Sequence, residues 1–403
     1  MSFVGTTTER RPLAALIAAN VLGGVGVASG IAVGSLLVVS LSSVAFAGLG
    51  QALSVFGAGL LAVPLATVAA RRGRRSALAM GYLIAVAGAL LIVGGATIGS
   101  LPVLFAGLVA FGAAQATNLQ TRYAASDLAG PQRRGTWMAW VMWATTIGSV
   151  AGPNLSAPGG RLGQAWGLPT LAGPYLFSLV GFGVAAAVVL AFHGAGRPPA
   201  PTASGPVQPV GALGALRWAA GHATARFAVA LLVVAHAVMV AIMSMTPVHL
   251  GAGGHGLEVI GLVISLHILG MYALSPVFGA LADRFGGLRT GLGGLATLAV
   301  ASALAFSAPG SAMALTLALV VLGLGWSASV LAASVLLAGV DEGAVRVPLQ
   351  GATDALMSYG GAAAALGAGV LLATVGYGGL ALVSALLIVP AAALGWGARA
   401  VRP

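Results

Sequence analysis

Long apolar runs follow one another along almost the whole sequence, and they limit the fold more than any other feature. Most runs are about 20 to 28 residues long, and a helix needs roughly 20 apolar residues to cross a bilayer. They cover residues 13–38, 44–69, 76–98, 101–123, 136–156, 170–192, 226–248, 257–281, 288–307, 311–338, 348–374 and 378–397. Inside a bilayer the backbone has to satisfy its own hydrogen bonds, as an α-helix does. The sequence therefore predicts an all-α membrane protein with twelve transmembrane helices.

The composition excludes several classes of protein. The chain is 59% hydrophobic and 6% charged, whereas a soluble protein carries about 25% charged residues. It has no cysteine, which excludes disulfides and Cys-ligated metals, and no Gly-Lys-Ser/Thr phosphate loop that would indicate ATP-driven transport. His249 and His255 lie on a predicted outer turn but lack a third metal ligand nearby. We expect no enzymatic activity, no metal and no cofactor.

The basic residues predict the orientation of the chain. All 18 are arginine, and they lie between apolar runs rather than on a soluble module, which argues against nucleic-acid binding. If the N-terminus is inside, the cytoplasmic segments hold Arg10, Arg11, Arg71, Arg72, Arg74, Arg75, Arg122, Arg133, Arg134, Arg197, Arg217, Arg226, Arg284, Arg289, Arg346, Arg399 and Arg402. Only Arg161 lies outside. This bias predicts a multi-pass protein of the cell membrane with both termini in the cytoplasm, and we expect a monomer.

One connection is much longer than the others and divides the chain. Residues 194–225 hold a Pro/Gly/Ser-rich linker and then a short, weakly amphipathic piece around Leu213 to Ala220. We therefore predict an N-terminal six-helix bundle (1–193), a cytoplasmic linker (194–225) and a C-terminal six-helix bundle (226–403).

The two predicted bundles share landmarks at nearly one sequence offset. Gly73 pairs with Gly286, Arg134 with Arg346, and Gly112 with Gly323, and the offset is almost the same in the three pairs. A constant offset indicates a duplicated six-helix unit, which predicts two pseudo-symmetric bundles.

Two motifs resemble a known family. The segment Gly279-Ala-Leu-Ala-Asp283-Arg284-Phe-Gly286 through Arg289 resembles the loop signature of the major facilitator superfamily of secondary transporters. Gly148-Ser-Val-Ala-Gly152-Pro153 is similar to the Gly-Pro motif of its drug:proton antiporter branch.

The sequence departs from the family pattern at two positions. The first-half loop has Ala70 in place of the aspartate, and Leu108 replaces an arginine that this branch often carries.

The resemblance implies transport by alternating access, driven by a proton gradient and needing no other cofactor. Our first hypothesis is proton-coupled efflux of small amphipathic molecules. The second is uptake or export of a specific metabolite, such as an organic anion. The third is a non-transporting membrane sensor on the same fold. The expected partners are a small-molecule substrate, protons and the lipid bilayer.

The segment from Gly279 to Arg289 is a charged turn between two apolar runs, and we predict that it forms a gate. By the resemblance, Asp283 faces the start of span five near Gly135, Arg133 and Arg134, and holds the cytoplasmic side closed. The other residues assigned to this gate are Gly279, Arg284, Gly286 and Arg289. The alternative is a turn that only sets topology.

The equivalent contact in the first half lacks its acid, because Ala70 cannot form an ion pair. We expect Asp354 of span eleven to supply the carboxylate, facing Arg71 or Arg72. The alternative is a local pair between Asp354 and Arg346.

Two histidines lie near the middle of their spans, where an ionisable group indicates a function. His236 and His267 are each about ten residues into spans seven and eight, and because these spans are sequence neighbours the two rings could meet. A histidine titrates near neutral pH, so we predict proton coupling through either one, with His267 preferred. The alternative is a neutral histidine that donates to a backbone carbonyl.

By the resemblance, spans one, four, seven and ten line the substrate cavity. Gln115, Asn118 and Arg122 share one face of span four because of their spacing, and Arg122 either attracts an anion or extends to the membrane surface. The other predicted substrate-binding residues are Asn20, Met239 and Trp326. Gly148, Gly152 and Pro153 are predicted to pack helices closely.

Overall fold

The computed structural model describes residues 7–42, 47–192, 210–255 and 257–400, and within these ranges the chain forms helices and no strand. The helices are α1 (Thr7–Leu41), α2 (Ala47–Arg72), α3 (Arg74–Ile98), α4 (Leu101–Leu128), α5 (Arg134–Asn154), α6 (Ser156–Ala165), α7 (Pro174–Phe192), α8 (Ala212–Gly221), α9 (Ala223–Ala252), α10 (Leu257–Tyr272), α11 (Ser275–Phe285), α12 (Gly287–Ser307), α13 (Ala312–Ala338), α14 (Gly343–Leu386) and α15 (Ile388–Ala400). The predicted all-helical class is confirmed over this part of the chain.

Ten helical segments in the described ranges are long and apolar enough to cross a membrane. The difference from the predicted twelve arises at two places. α5 is 21 residues long but is less apolar, since it carries Arg134, three tryptophans and Asn154. α14 and α15 form one apolar stretch, Gly343–Arg399, where two spans were expected. The membrane-spanning character is supported, and the count of twelve is not confirmed.

The chain divides into two compact units that do not follow the sequence order strictly. Unit 1 comprises the described residues of Met1–Leu128, Ala144–Ala212 and Gly343–Ala355. Unit 2 comprises those of Ala129–Trp143, Leu213–Glu342 and Leu356–Pro403. Each unit therefore contains one short segment from the other half of the sequence: the start of α14 belongs to unit 1, and the start of α5 belongs to unit 2.

The linker is described only in part. Residues 193–209, which include Arg197, lie outside the described residues, as does Arg402. The short amphipathic piece forms α8, with Ala215 and Ala219 buried and Leu213 61% exposed. The predicted boundaries at 193 and 226 stay a prediction.

In unit 1, α2 and α4 cross at two glycines that leave no room for a side chain. A Cβ atom on Gly57 would overlap the backbone of Val109, and one on Gly112 would overlap the backbone of Ser54. Small residues let membrane helices approach closely enough for backbone contact. α3 also packs on α4, and α1 packs on α7.

In unit 2, α10 and α13 cross in the same way. A Cβ atom on Gly270 would lie 2.7 Å from the carbonyl oxygen of Val320, and one on Gly323 would lie 2.6 Å from that of His267. Gly270 follows Gly57, and Gly323 follows Gly112, at nearly the offset that separates the turn glycines Gly73 and Gly286. The repeat seen in the sequence therefore extends to a repeated pair of backbone contacts.

The turns after α2 and α11 share an unusual backbone conformation. Gly73 has φ 87° and ψ 163°, and Gly286 has φ 83° and ψ 152°. This region of φ/ψ space is essentially restricted to glycine and costs other residues about 1–3 kcal/mol. The turn geometry is thus present in both halves, although only the second copy carries the aspartate.

We predict that Gly286→Ala lowers the stability of the protein, because alanine is strained at a φ of 83°. The apparent melting temperature in detergent should fall by several degrees. The control is Gly293→Ala, which lies on the exposed side of α12 with open space around it. There alanine should be neutral or stabilising, and equal effects of the two substitutions would contradict the strain at Gly286.

Candidate functional site

The end of α11 packs against the start of α5 through one face of small residues; we call this contact the α5–α11 seam. Ser275, Gly279 and Asp283 follow at intervals of four residues, which places them on the same side of α11. The Ser275 hydroxyl donates to the carbonyl of Ala139 at 3.1 Å. Gly279 lies against the backbone of Gly135 with no space for a side chain. The seam thus combines close backbone packing with one carboxylate at its end.

Asp283 caps the start of α5. Its Oδ1 accepts the backbone N–H of Gly135 at 2.7 Å, and its Oδ2 accepts the backbone N–H of Thr136 at 2.8 Å and the Thr136 hydroxyl at 2.6 Å. The first N–H groups of a helix have no partner within the helix, and a carboxylate there also interacts favourably with the helix dipole. Asp283 therefore lies where the sequence predicted, and its gating role stays a prediction.

The arginines beside the seam form no ion pair with Asp283 in the described part of the chain. Neither of the two ion pairs in the described part of the chain includes Asp283. Arg133 is exposed and Arg134 is half-buried. The carboxylate oxygens accept hydrogen bonds from Gly135 and Thr136 instead.

In unit 1, Arg122 of α4 and Asp354 of α14 form a buried ion pair. The distance from Arg122 Nη2 to Asp354 Oδ1 is 2.5 Å, and both side chains are only 1% exposed. This corrects two expectations. In the ion pairs given by the described residues, the partner of Asp354 is Arg122 rather than Arg346 or the exposed Arg71 and Arg72. Arg122 neither extends to the membrane surface nor offers an unpaired charge to a substrate, since a charge this deeply buried needs a partner.

The guanidinium of Arg122 has further partners. Its Nη1 donates to the carbonyl of Leu119 at 2.7 Å, and Nη2 donates to the hydroxyl of Tyr123 at 3.2 Å. Its Cζ also lies 4.5 Å from the centre of the Tyr123 ring. These contacts fix the orientation of the guanidinium, so that it presents one N–H to Asp354.

Sequence reasoning missed a second buried arginine beside this pair. Arg74, the first residue of α3, donates from Nε to Asp127 Oδ2 at 2.8 Å and from Nη2 to Gln350 Oε1. Its Cζ lies 5.8 Å from the Tyr123 ring. Arg74 was counted only as a topological charge, although the acid Asp127 at the end of α4 was a signal that a partner for an arginine is available.

Two of the polar residues predicted to line a cavity, Asn20 and Asn118, belong to one hydrogen-bond network in unit 1, in which the Thr121 hydroxyl lies within hydrogen-bond distance of both. Asn20 donates to Thr145 at 2.9 Å and accepts the Thr121 hydroxyl at 3.1 Å. Asn118 accepts the hydroxyl of Tyr82 at 2.8 Å. Gln115 is half-buried. The network joins α1, α3, α4 and α5, and whether these groups bind a substrate stays a prediction.

In unit 2, His236 and Trp326 are hydrogen-bonded. The indole N–H of Trp326 donates to His236 Nδ1 at 3.1 Å, which requires Nδ1 to be unprotonated in this arrangement. The rings of Trp326 and Tyr272 are packed edge to face, with ring centres 5.6 Å apart. Trp326 is 3% exposed, so its ring is part of a packed aromatic cluster rather than an open stacking surface.

His267 is fully buried and separate from His236. Its Nδ1 lies 2.7 Å from the carbonyl of Leu319, which matches the alternative of a neutral ring that donates to the backbone. Its Nε2 has no partner within the described ranges. The idea that the two histidines meet is not supported, because their partners Leu319 and Trp326 are seven residues apart, about 10 Å along α13.

The glycines of the antiporter-like motif bring α5 close to α1. A Cβ atom on Gly148 would lie 2.6 Å from the backbone of Gly24, and one on Gly152 would overlap Ala28. The close packing predicted for these two glycines is observed. The side chain of Pro153 lies outside what the structure describes. Met239 is buried in the core of unit 2.

The described residues contain no group of three or more side chains that could hold a metal ion.

No protein-family model matches the chain, whereas curated proteins resemble it over most of its length. It is 36% identical over 396 residues to a Bacillus subtilis (strain 168) protein named "Uncharacterized MFS-type transporter YddS", covering 94% of this chain and 90% of that one. It is 28% identical over 387 residues to the riboflavin transporter RfnT of Brucella anthropi, covering 92% and 91%.

A solved structure supports the fold. The crystal structure of the human organic anion transporter MFSD10 (TETRAN) superposes with a TM-score of 0.76 and covers 96% of this chain and 99% of that one. The sequence identity is 16%, so this likeness shows the fold alone.

We predict that Asp283→Asn opens the α5–α11 seam more often. An asparagine keeps one acceptor but turns an NH2 group towards the backbone donors of α5. Because Ser275 is buried and the chain lacks cysteine, Ser275→Cys provides a single reporter thiol. Its alkylation by a maleimide should accelerate about ten-fold in the Asp283→Asn background, which corresponds to a loss of about 1.4 kcal/mol.

The matched control for this seam is Arg133→Gln, which removes an exposed charge beside the same helix start. It should leave the alkylation rate of Ser275→Cys unchanged, because Asp283 binds amide groups rather than arginines. Equal acceleration by Asp283→Asn and by Arg133→Gln would contradict the role of Asp283 as the cap of α5.

A second prediction concerns the buried ion pair. Arg122→Met or Asp354→Leu alone should destabilise the protein by about 3–5 kcal/mol, because each leaves an unpaired buried charge. The double substitution should recover most of that loss, since no charge is left to neutralise. The measurement is a double-mutant cycle on unfolding in detergent, with exposed Arg71→Met as control. Additive effects of the two substitutions would contradict direct pairing.

Proposed function

The chain belongs to the major facilitator superfamily of transporters, and we propose that it is a secondary active transporter that exports small amphipathic molecules in exchange for protons. Transport of this general type is supported by the relatives and the fold. The direction, the coupling ion and the substrate class are the proposed part. The observation that carries proton coupling is the hydrogen bond between Trp326 and His236.

The proposed architecture has twelve spans in two six-helix bundles. The stretch Gly343–Arg399 has 57 residues, about 85 Å if helical throughout, whereas a bilayer core is about 30 Å thick. It is interrupted at Gly376, where φ is 71°. One span on each side of Gly376 would make this stretch two spans. With α5 as a further span, the ten segments become twelve. The arginine bias supports cytoplasmic termini in the cell membrane.

Two contacts support alternating access. The Asp283 cap joins α11 to α5, and the Arg122–Asp354 pair joins α4 to α14. Each contact connects a helix of one sequence half to the first turns of a helix from the other half. Both depend on carboxylate hydrogen bonds, which can be exchanged for bonds to water. We propose that their release and formation accompany each transport cycle, which assigns Asp283 and Asp354 to gating.

His236 is suited to exchange a proton because its protonation state is linked to the position of Trp326. While Trp326 donates to Nδ1, that nitrogen cannot carry a proton. Protonation at Nδ1 would place two N–H groups against each other and displace the indole. The neutral ring carries its one proton on Nε2, and a second proton on Nδ1 is incompatible with the present position of Trp326. Protonation of His236 would therefore be coupled to movement within unit 2.

Two of the similar proteins carry names that indicate organic substrates. RfnT is named a riboflavin transporter, and MFSD10 is named an organic anion transporter. A specific metabolite or organic anion is accordingly our second candidate. The ion pair of Arg122 with Asp354 weighs against Arg122 as the anion-binding group, so the polar network around Asn20 and Asn118 is the better candidate for contacting the substrate.

We predict that proteoliposomes with an imposed pH gradient move a cationic dye against its own gradient, with counterflow of protons. The comparison substrates are an organic anion and riboflavin. Preferential movement of either would favour the second candidate. Absence of both substrate-dependent proton flux and substrate movement would support a non-transporting sensor and contradict the proposal.

We further predict that His236→Gln reduces proton-driven transport at least ten-fold but leaves substrate exchange at equal pH largely intact, because glutamine can accept the Trp326 N–H but cannot carry a proton. The matched control is His249→Gln, which removes a histidine bonded to the carbonyl of Pro309. Unchanged proton-driven transport in His236→Gln would exclude His236 as the coupling group.

A further inference from the structure

A cavity of about 460 Å³ lies where the turn between α11 and α12 meets the end of α15. Two apolar and two cationic residues line it: Phe285, Leu288, Arg289 and Arg399. All four belong to unit 2. The cavity is distinct from the α5–α11 seam, because Asp283 binds the start of α5.

The cavity brings together two guanidinium groups without an acid among its lining residues. Arg289 and Arg399 are both exposed, and neither belongs to the two ion pairs in the described part of the chain. Asp283 precedes Arg289 by six residues, but its oxygens accept three hydrogen bonds from α5. Two like charges in one concave surface raise the local concentration of anions.

Aromatic side chains flank these charges and remain uncovered. Phe285 is 46% exposed and Trp396 is 69% exposed. The Cζ atom of Arg284 lies 5.2 Å from the Phe285 ring, and that of Arg399 lies 4.9 Å from the Trp396 ring. Tryptophan and arginine at the end of a membrane helix are typical of the interface between headgroups and acyl chains.

The cavity also lies at the ends of membrane-spanning segments. The candidate spans Val259–Phe285 and Gly287–Ser307 meet at it, and Gly343–Arg399 ends there. A ligand in this position contacts the headgroup layer on one side and apolar surface on the other.

We propose that this cavity binds the phosphate group of an anionic phospholipid. Arginine donates paired N–H groups to phosphate oxygens, and Arg289 and Arg399 would hold one phosphate from two helices. The acyl chains would cover Phe285 and Trp396. A free phosphate ion offers the same oxyanion but leaves both aromatic rings exposed, so the lipid is the better fit. The bound lipid would also brace the turn that carries Asp283.

The test measures lipid retention by the full chain. The protein is purified in neutral detergent with equal amounts of phosphatidylglycerol and phosphatidylcholine, and retained lipids are counted by native mass spectrometry. The test variant is Arg289→Gln with Arg399→Gln. The control variant is Arg72→Gln with Arg217→Gln, which removes two exposed arginines outside the cavity and changes the net charge equally.

We expect the native chain to retain phosphatidylglycerol in preference to phosphatidylcholine. The test variant should bind phosphatidylglycerol about thirty-fold more weakly, since each arginine near an anionic surface contributes about a factor of five. The control variant should match the native chain. Equal weakening in both variants, or no preference between the lipids, would overturn the proposal. Displacement of phosphatidylglycerol by millimolar inorganic phosphate would instead assign the cavity to the free ion.

Because lipid retention is measured without transport, its failure is distinguishable from failure of the proposed transport function.

Discussion

Carboxylates are scarce in this chain, and the positions of the few it has determine where distant parts of the sequence are held together. There are 7 acidic residues and 18 arginines, and most of the remaining surface is apolar. In such surroundings an unpartnered polar group is costly. Asp283 satisfies the start of α5, Asp354 satisfies Arg122, and Asp127 satisfies Arg74. Each of these contacts joins different helices.

The two units both join helices through a carboxylate, but the carboxylates have different partners. In unit 2 the carboxylate lies on the glycine turn and binds backbone amides of α5. In unit 1 the equivalent turn residue is Ala70, and Asp354 comes from α14 to meet Arg122 instead. An amide cap is partly exposed and can be replaced by water, whereas a fully buried ion pair is costly to separate. In the proposed transport cycle, the amide cap would therefore open more easily than the ion pair.

The sequence predicted the features that depend on local patterns. The apolar runs predicted the helices, the repeat offset between the halves predicted the matching glycine turns, and the loop motif predicted that Asp283 meets the start of span five. The partner of Asp354 could not be predicted, because Arg122 is 232 residues away and several arginines lie nearer to the expected contact. Arg74 was missed for a related reason. A run of four arginines around Gly73 reads as a topological signal, and only the packing shows that one member turns inward. The hydrogen bond between Trp326 and His236 likewise depends on the rotation of two helices about their axes.

The glycines at which α2 crosses α4 and α10 crosses α13 affect which neighbouring residues can differ between the two halves. The position of Ser54 in the first half corresponds to that of His267 in the second, at the same offset that relates Gly73 to Gly286. Both side chains donate a hydrogen bond to a backbone carbonyl. Ser54 donates to Gly50 at 3.3 Å, and His267 donates to Leu319 at 2.7 Å. The helix spacing is held by Gly57, Gly112 and their counterparts rather than by these side chains. A hydroxyl at position 54 and an imidazole at position 267 are therefore both compatible with the same close distance between helices. In both halves the close approach of the helices depends on residues without a side chain, whereas the neighbouring positions 54 and 267 carry different polar groups.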